Sequence, residues 1–159
     1  MISPFQKAGS SLPSMNKISS MSSMISSMSS EPAVPPKVAE FIDCIMVGAV
    51  ILHKMHLRVQ GPGSYATHKA LNELYDALPD HADDLVEKYQ GFNGVIIENY
   101  PSMDQTPYLK MEPLAYVEWL MKYVEDYRSC FGTTSMLQNL LDELTASIAE
   151  TRYKLKFLS

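Results

Sequence analysis

All four histidines of this 159-residue chain lie between positions 53 and 81, and acidic residues follow them at helical spacing. The residues that share one helical stripe, at steps of four, four, seven and four, are His68, Asn72, Asp76, Asp83 and Glu87. His53 and His56 lie a turn apart on the preceding segment and add two further nitrogen ligands. Neutral imidazoles and carboxylates bind divalent metals such as Fe(II) or Zn(II). Polar residues beside an apolar stripe are also typical of a solvated face, so the pattern alone leaves both interpretations open.

The segment from His56 to Glu87 resembles the signature of the Dps proteins, the starvation-induced mini-ferritins. In that family a histidine is followed by a glycine-containing turn, a second histidine twelve residues on, and an acid four residues later. An aspartate follows fifteen residues after the second histidine, and a glutamate four beyond it. In this chain His56 and His68 are twelve residues apart, Asp83 lies fifteen beyond His68, and Glu87 follows four later.

The resemblance implies an all-α fold, a ferritin-like antiparallel four-helix bundle with a long crossover connection between helices 2 and 3. It also implies hollow dodecamers that oxidise Fe(II) with peroxide or oxygen, with each iron site shared across a two-fold interface. The implied metal ligands are His56, His68 and Asn72 from one subunit and Asp83 and Glu87 from its neighbour, with His53 and Asp76 as accessory groups.

The chain departs from the family pattern at one of these ligands and at one further position. Asn72 stands where the family has aspartate, which removes a charge and weakens a site for a hard cation. Leu57 stands where the family has a tryptophan. The chain also contains no E-x-x-H motif, which argues against the in-bundle di-iron site of ordinary ferritins.

Apolar residues recur at spacings of three and four and predict four helices. We expect these helices over residues 37–58, 65–90 and 111–130 and after Gly132. Ser64 is the predicted N-cap of the second helix and Gly91 its predicted end. Residues 92–110 form a long connection, where the resemblance places a short helix.

Residues 1–33 differ from the predicted bundle domain at 34–159, because their first thirty residues contain 12 serines and 5 methionines. Such a serine-rich arm is typical of disorder. Its apolar residues nevertheless recur three or four apart, a spacing that suits a weak helix lying on a partner. We therefore expect the arm to contact neighbouring chains.

Composition excludes several classes of protein. A net charge of -5, a pI near 5.3 and an arm with only Lys7 and Lys17 as basic residues make nucleic-acid binding an unlikely function. Cys44 and Cys130 have no metal-ligand spacing. The longest apolar run, nine residues from Cys44, is far shorter than the roughly 20 that cross a bilayer. We expect a cytoplasmic or virion-associated protein that is not secreted.

Two functions of different classes remain, and both involve a homo-oligomer. The first is an iron-binding protein with ferroxidase activity, which the histidines and acids favour. The second is a structural or assembly protein, for example a phage virion component, with a vestigial metal site. Asn72 and the low-complexity arm favour the second.

Overall fold

The computed structural model describes residues 35–159, which form four α-helices and contain no strand. The helices are α1 (Pro36–His56), α2 (Ser64–Asn93), α3 (Pro113–Tyr127) and α4 (Ser135–Phe157), with 3₁₀ turns at Tyr108–Lys110 and Arg128–Phe131. The predicted all-α class is confirmed for this part of the chain. The expectations for the arm at residues 1–33 fall outside the described residues.

Each helix packs against two others, since α1 and α4 both contact α2 and α3. Residue numbers rise along one helix and fall along its neighbour in every packed pair, so all neighbours are antiparallel. The contacts that establish this are His56 with His68 and Gly48 with Leu78, Phe41 with Tyr123 and Glu40 with Tyr127, Glu73 with Lys154 and His81 with Ser147, and Glu118 with Arg152 and Arg128 with Asp142.

The connection over residues 94–112 must cross the length of the bundle, because α2 and α3 both oppose α1 and therefore run in the same direction. The Met103 amide donates to the carboxylate of Asp43, and Lys54 donates to the side-chain oxygen of Gln105. The connection therefore runs along α1. Its regular structure, over these described residues, is the 3₁₀ turn at Tyr108–Lys110 rather than the short α-helix that the resemblance implies.

Two predicted ends of α2 are wrong. Ser64 is the first helical residue, and Gly63 occupies the N-cap position with a φ of 75°. The helix continues through Gly91 and ends at Gly94, which takes a φ of 65°. Glycine adopts this left-handed conformation without the steric cost that a Cβ brings, which makes Gly94 the favourable place to stop.

The helices enclose one apolar core to which all four contribute. Two polar residues are buried with it, His56 and Thr151. Tyr116 is fully buried, and its hydroxyl has no hydrogen-bond partner among the described residues. None of the helices described here is both long and apolar enough to span a membrane.

Candidate functional site

Three histidine rings meet where α1 ends and α2 begins, and we call His53, His56 and His68 the imidazole cluster. The rings of His56 and His68 are stacked with their centroids 3.6 Å apart. The ring of His53 lies 5.7 Å from that of His56, nearly perpendicular to it. The antiparallel packing of α1 on α2 thus brings together residues that are up to fifteen positions apart in the sequence.

His56 is the anchored member of the cluster. Its side chain is 6% exposed, and its Nδ1 lies 3.1 Å from the backbone carbonyl oxygen of His68. A carbonyl oxygen can only accept, so Nδ1 carries the proton and donates it. In the neutral ring the lone pair is then on Nε2. A hydrogen bond of this kind is what orients a metal-ligating histidine in known sites.

Tyr75 completes a polar network beside the imidazole cluster. The sequence does not reveal this role, because Tyr75 occupies a position in the apolar stripe of α2. Its ring stacks on His53 at 4.4 Å and meets His56 edge-on at 5.2 Å. Its hydroxyl donates to Asn72 Oδ1 over 2.9 Å, and Asn72 Nδ2 donates to Asp76 over 2.5 Å. The sequence signal for this network is the spacing of three and four residues along one helix face.

The remaining predicted ligands lie far along α2. Asp83 and Glu87 are exposed, and at 1.5 Å per residue they are about 22 and 28 Å beyond His68. Asp83 faces the crossover, where its charge adds to burial in raising the pKa of Tyr100. One chain therefore does not unite the two acids with the imidazole cluster. Among residues 35–159, no three histidine, cysteine or acidic side chains are placed to hold a metal ion.

Two other polar residues of α2 belong to the bundle rather than to this site. His81 Nε2 lies 2.9 Å from the Ser147 hydroxyl oxygen on α4. Glu73 forms an ion pair with Lys154, also on α4. Both side chains therefore link α2 to α4, on a different side of α2 from the cluster.

An exposed apolar stripe on α1 borders the imidazole cluster. Met46, Val50 and Leu57 are 38%, 44% and 71% exposed, and with His53 they recur at steps of four, three and four, which is one helix face. We call these four residues the outer stripe. Apolar side chains gathered on one exposed face are typical of a surface that another molecule covers.

Two cavities of the described chain lie apart from the predicted ligands. A cavity of about 510 Å³ lies at the α1–α2 turn and has Arg58, Lys110 and Glu112 among its lining residues. A second one of about 260 Å³ lies under the crossover, beside Cys44 and Tyr123. Within the imidazole cluster, His53 and His68 are exposed, whereas His56 is buried.

Comparison with known proteins places the chain in a family but not in a functional class. Residues 56–155 match the model of a family described as "Family of unknown function (DUF5856)", and the chain belongs to this family. The match includes every predicted metal ligand except the accessory His53.

A relative is found in enterobacteria phage T4, where it is described as an "Uncharacterized 14.6 kDa protein in mobD-ri intergenic region". The two sequences are 24% identical over 128 residues, which cover 79% of this chain and 93% of the phage protein. No solved structure matches this chain.

Proposed function

We propose that this chain is a ferritin-like, Dps-type protein that binds Fe(II) as a substrate at a site completed by two copies of the chain. One copy supplies His56 and His68, with Asn72 as a weak ligand and His53 and Asp76 as accessory groups. The other supplies Asp83 and Glu87. Such a protein acts in the cytoplasm or as part of a virion.

The observation that carries this proposal is the distance along α2 between the imidazole cluster and the two acids Asp83 and Glu87. His56 holds its Nε2 lone pair available beside the ring of His68, while Asp83 and Glu87 extend from the same helix about 22 and 28 Å away. An isologous dimer pairs each end of α2 with the opposite end of its partner's α2, which produces two equal sites.

The outer stripe lies at the level that such a dimer requires. Tyr75 and Asp76 are midway between His68 and Asp83 along α2. Gly48 of α1 lies beside Leu78, so Val50 is about 3 Å nearer the imidazole cluster, close to that midpoint. A two-fold axis near Val50 would bury this exposed apolar face and join the two halves of the site.

The chain's residues then have separate tasks in Fe(II) oxidation. The imidazoles and carboxylates hold the ion, and the carboxylates offset its charge. Each Fe(II) loses one electron, and peroxide accepts two as its O–O bond breaks. The antiparallel bundle with a crossover along α1 supports the assignment, because this arrangement of helices is the one that the resemblance implies.

Complementation between two inactive variants tests this proposal directly. The double variants His56→Ala/His68→Ala and Asp83→Asn/Glu87→Gln should each lose rapid Fe(II) oxidation while they keep their oligomer size. Co-expressed chains should recover about a quarter of the wild-type rate, since half of randomly paired dimers are mixed and each mixed dimer keeps one intact site.

The matched control is Asp84→Asn, which neutralises an exposed acid next to Asp83 that pairs with Lys88. This variant should oxidise Fe(II) at the wild-type rate. Absence of any recovery in the co-expressed sample would contradict a shared site. Oxidation no faster than in buffer, by a wild-type oligomer of normal size, would contradict the ferroxidase itself.

A second candidate function is that of a structural or assembly protein that keeps the bundle and has lost the chemistry. The observation that favours it is the state of Asn72, whose amide oxygen and nitrogen are both occupied by Tyr75 and Asp76. The similarity to an uncharacterized phage protein is compatible with this alternative. A well-formed oligomer without Fe(II) oxidation is the result that would select it.

A further inference from the structure

We propose that Trp119, Tyr123 and Tyr127 form a path for single electrons along α3, which ends in a tyrosyl radical at Tyr127 and a proton on Glu40. We call these three rings the aromatic file. The proposal does not depend on the iron site, because the file lies on α3 with its proton acceptor Glu40 on α1, and neither shares a residue with the imidazole cluster.

The rings of the file are in continuous contact. Trp119 stacks on Tyr123 with centroids 5.3 Å apart, and Tyr123 stacks on Tyr127 at 4.3 Å. The three residues recur every four positions, so one face of α3 presents them in a row. Tyr108 on the crossover extends the row, with its ring 4.4 Å from Trp119. Electron transfer between rings at these distances requires no movement of the backbone.

The proton determines where the path ends, because a phenol that loses an electron must also lose its hydroxyl proton. Tyr127 donates a 2.7 Å hydrogen bond to Glu40 Oε1, so a carboxylate is already placed to accept this proton. Tyr116 also contacts Trp119, at 5.5 Å, but its buried hydroxyl has no acceptor. Oxidation of Tyr116 would leave the proton without a destination, so the radical settles on Tyr127 instead.

The oxidant belongs to the class of one-electron oxidants, such as the oxyl radicals that Fe(II) and peroxide generate. The cavity of about 260 Å³ beneath the crossover gives a small oxidant access to the rings of Tyr108 and Tyr123. The electron balance is complete. The oxidant takes one electron from Trp119, Tyr123 replaces that electron, and Tyr127 replaces the one that Tyr123 gave. Tyr123 therefore ends unchanged with its own proton, and the one proton released in the whole sequence passes from Tyr127 to Glu40.

Cys44 lies in the wall of the same cavity and does not compete as a thiolate. Burial raises the pKa of its thiol to about 12, so the group stays protonated at neutral pH. A protonated thiol is a poor nucleophile. At neutral pH this sulfur therefore offers no thiolate to the oxidant.

Pulse radiolysis with the azide radical tests the proposal, because this oxidant attacks tryptophan and Trp119 is the chain's single tryptophan. We expect the absorbance of the indolyl radical to convert into that of a tyrosyl radical with first-order kinetics independent of protein concentration. Tyr123→Phe keeps a ring in place but removes an oxidisable one, so it should abolish the fast conversion. Glu40→Gln removes the proton acceptor and should slow the conversion by about tenfold or more.

The matched control is Tyr153→Phe, which changes an exposed tyrosine on α4 outside the file and should leave the kinetics unchanged. Tyr127→Phe is the second test and should abolish the long-lived tyrosyl spectrum. Conversion that proceeds equally fast in Tyr123→Phe and Glu40→Gln would overturn the proposal. Conversion whose rate rises with protein concentration would overturn it too, because the transfer would then be intermolecular.

Discussion

The imidazole cluster and the aromatic file are both groups of neighbouring rings beside α1, but they use their polar atoms in different ways. In the file, the terminal hydroxyl of Tyr127 ends on Glu40 of the same chain. In the imidazole cluster, Nδ1 of His56 donates a hydrogen bond to the His68 carbonyl oxygen, and Nε2 keeps the lone pair. Asp83 and Glu87 lie far from these rings, further along α2. The proposed electron path has all its residues within one chain, whereas the proposed iron site takes its acids from a second copy.

This difference is the reason why we propose a site that two copies of the chain complete. A polar group at a helix interface usually finds its partner inside the fold, as half-buried His81 does with Ser147 on α4. The cluster instead borders an exposed apolar stripe, and within residues 35–159 no three histidine, cysteine or acidic side chains are placed to hold a metal ion. The proposed electron path therefore needs one chain only, whereas the proposed iron site needs two copies of it.

The largest effect on stability is expected from removing a core side chain that packs beside the aromatic file. Phe41 is fully buried and contacts Tyr123, Tyr127 and Phe131, with centroids 5.9, 6.4 and 5.0 Å away. Phe41→Ala should lower the free energy of unfolding by about 3–5 kcal/mol, since it leaves a cavity and breaks three ring contacts. Urea denaturation followed by circular dichroism measures this loss.

The matched change on the other side is His53→Ala, which removes an exposed ring that stacks on Tyr75. It should cost less than about 1 kcal/mol, as changes at exposed positions usually do. Equal losses for the two variants would show that the imidazole cluster contributes to folding as the core does, and the contrast between the regions would disappear.

Part of the fold and part of the candidate site could be predicted from the sequence. Apolar spacing located all four helices, because a helix that buries one face repeats every three to four residues. It could not locate the ends of α2, since Gly91 and Gly94 are equally good candidates until the backbone shows which one takes a positive φ. The sequence also placed His56 in the candidate site but could not show that it is buried, because burial depends on how α1 packs against α2.

The network around Asn72 was harder to predict. Tyr75 fits the apolar stripe of α2, and only its hydrogen bond to Asn72 reveals the polar function of its hydroxyl. The aromatic file was missed for a similar reason. Its residues have the spacing of ordinary core positions, and the acceptor Glu40 is 87 residues away from Tyr127 in the chain.

A medium effect is expected from Asn72→Asp, which restores the carboxylate of the resembled family. Without metal, the variant loses the hydrogen bond from Asn72 to Asp76 and places two like charges four residues apart on one helix. We expect a loss of about 0.5–1 kcal/mol of stability. Added divalent metal should then raise the melting temperature more in the variant than in the wild type, because a ligand that binds the folded state stabilises it.

Thermal unfolding with and without Fe(II) under anaerobic conditions measures both parts of this prediction. An equal metal-induced shift in the wild type and in Asn72→Asp would show that position 72 is not a ligand. The contrast between the imidazole cluster and the aromatic file would then rest on the three histidines alone.

The smallest effect is expected from Glu73→Gln, which tests whether the acid next to Asn72 takes part in the proposed iron site. Glu73 adjoins Asn72 but pairs with Lys154 on α4, and the hydrogen bond from Lys154 lowers the pKa of its carboxyl. A carboxylate with a lowered folded-state pKa stabilises the fold at neutral pH, and this contribution is lost as the pH falls through the acidic range. Because the pair is largely exposed, its contribution is about 0.5 kcal/mol or less, and salt weakens it.

The stability of Glu73→Gln should therefore fall slightly below that of the wild type at pH 7 and converge with it in acid, where Glu73 of the wild type is protonated. Lys154 adds the complementary behaviour, because Glu150 and Glu73 raise its pKa and its contribution is lost only at alkaline pH. Fe(II) binding by Glu73→Gln should equal that of the wild type, since its carboxylate faces α4. A clear loss of Fe(II) binding would show that Glu73 takes the place of the missing acid at position 72. The iron site would then include a residue on the side of α2 that faces α4.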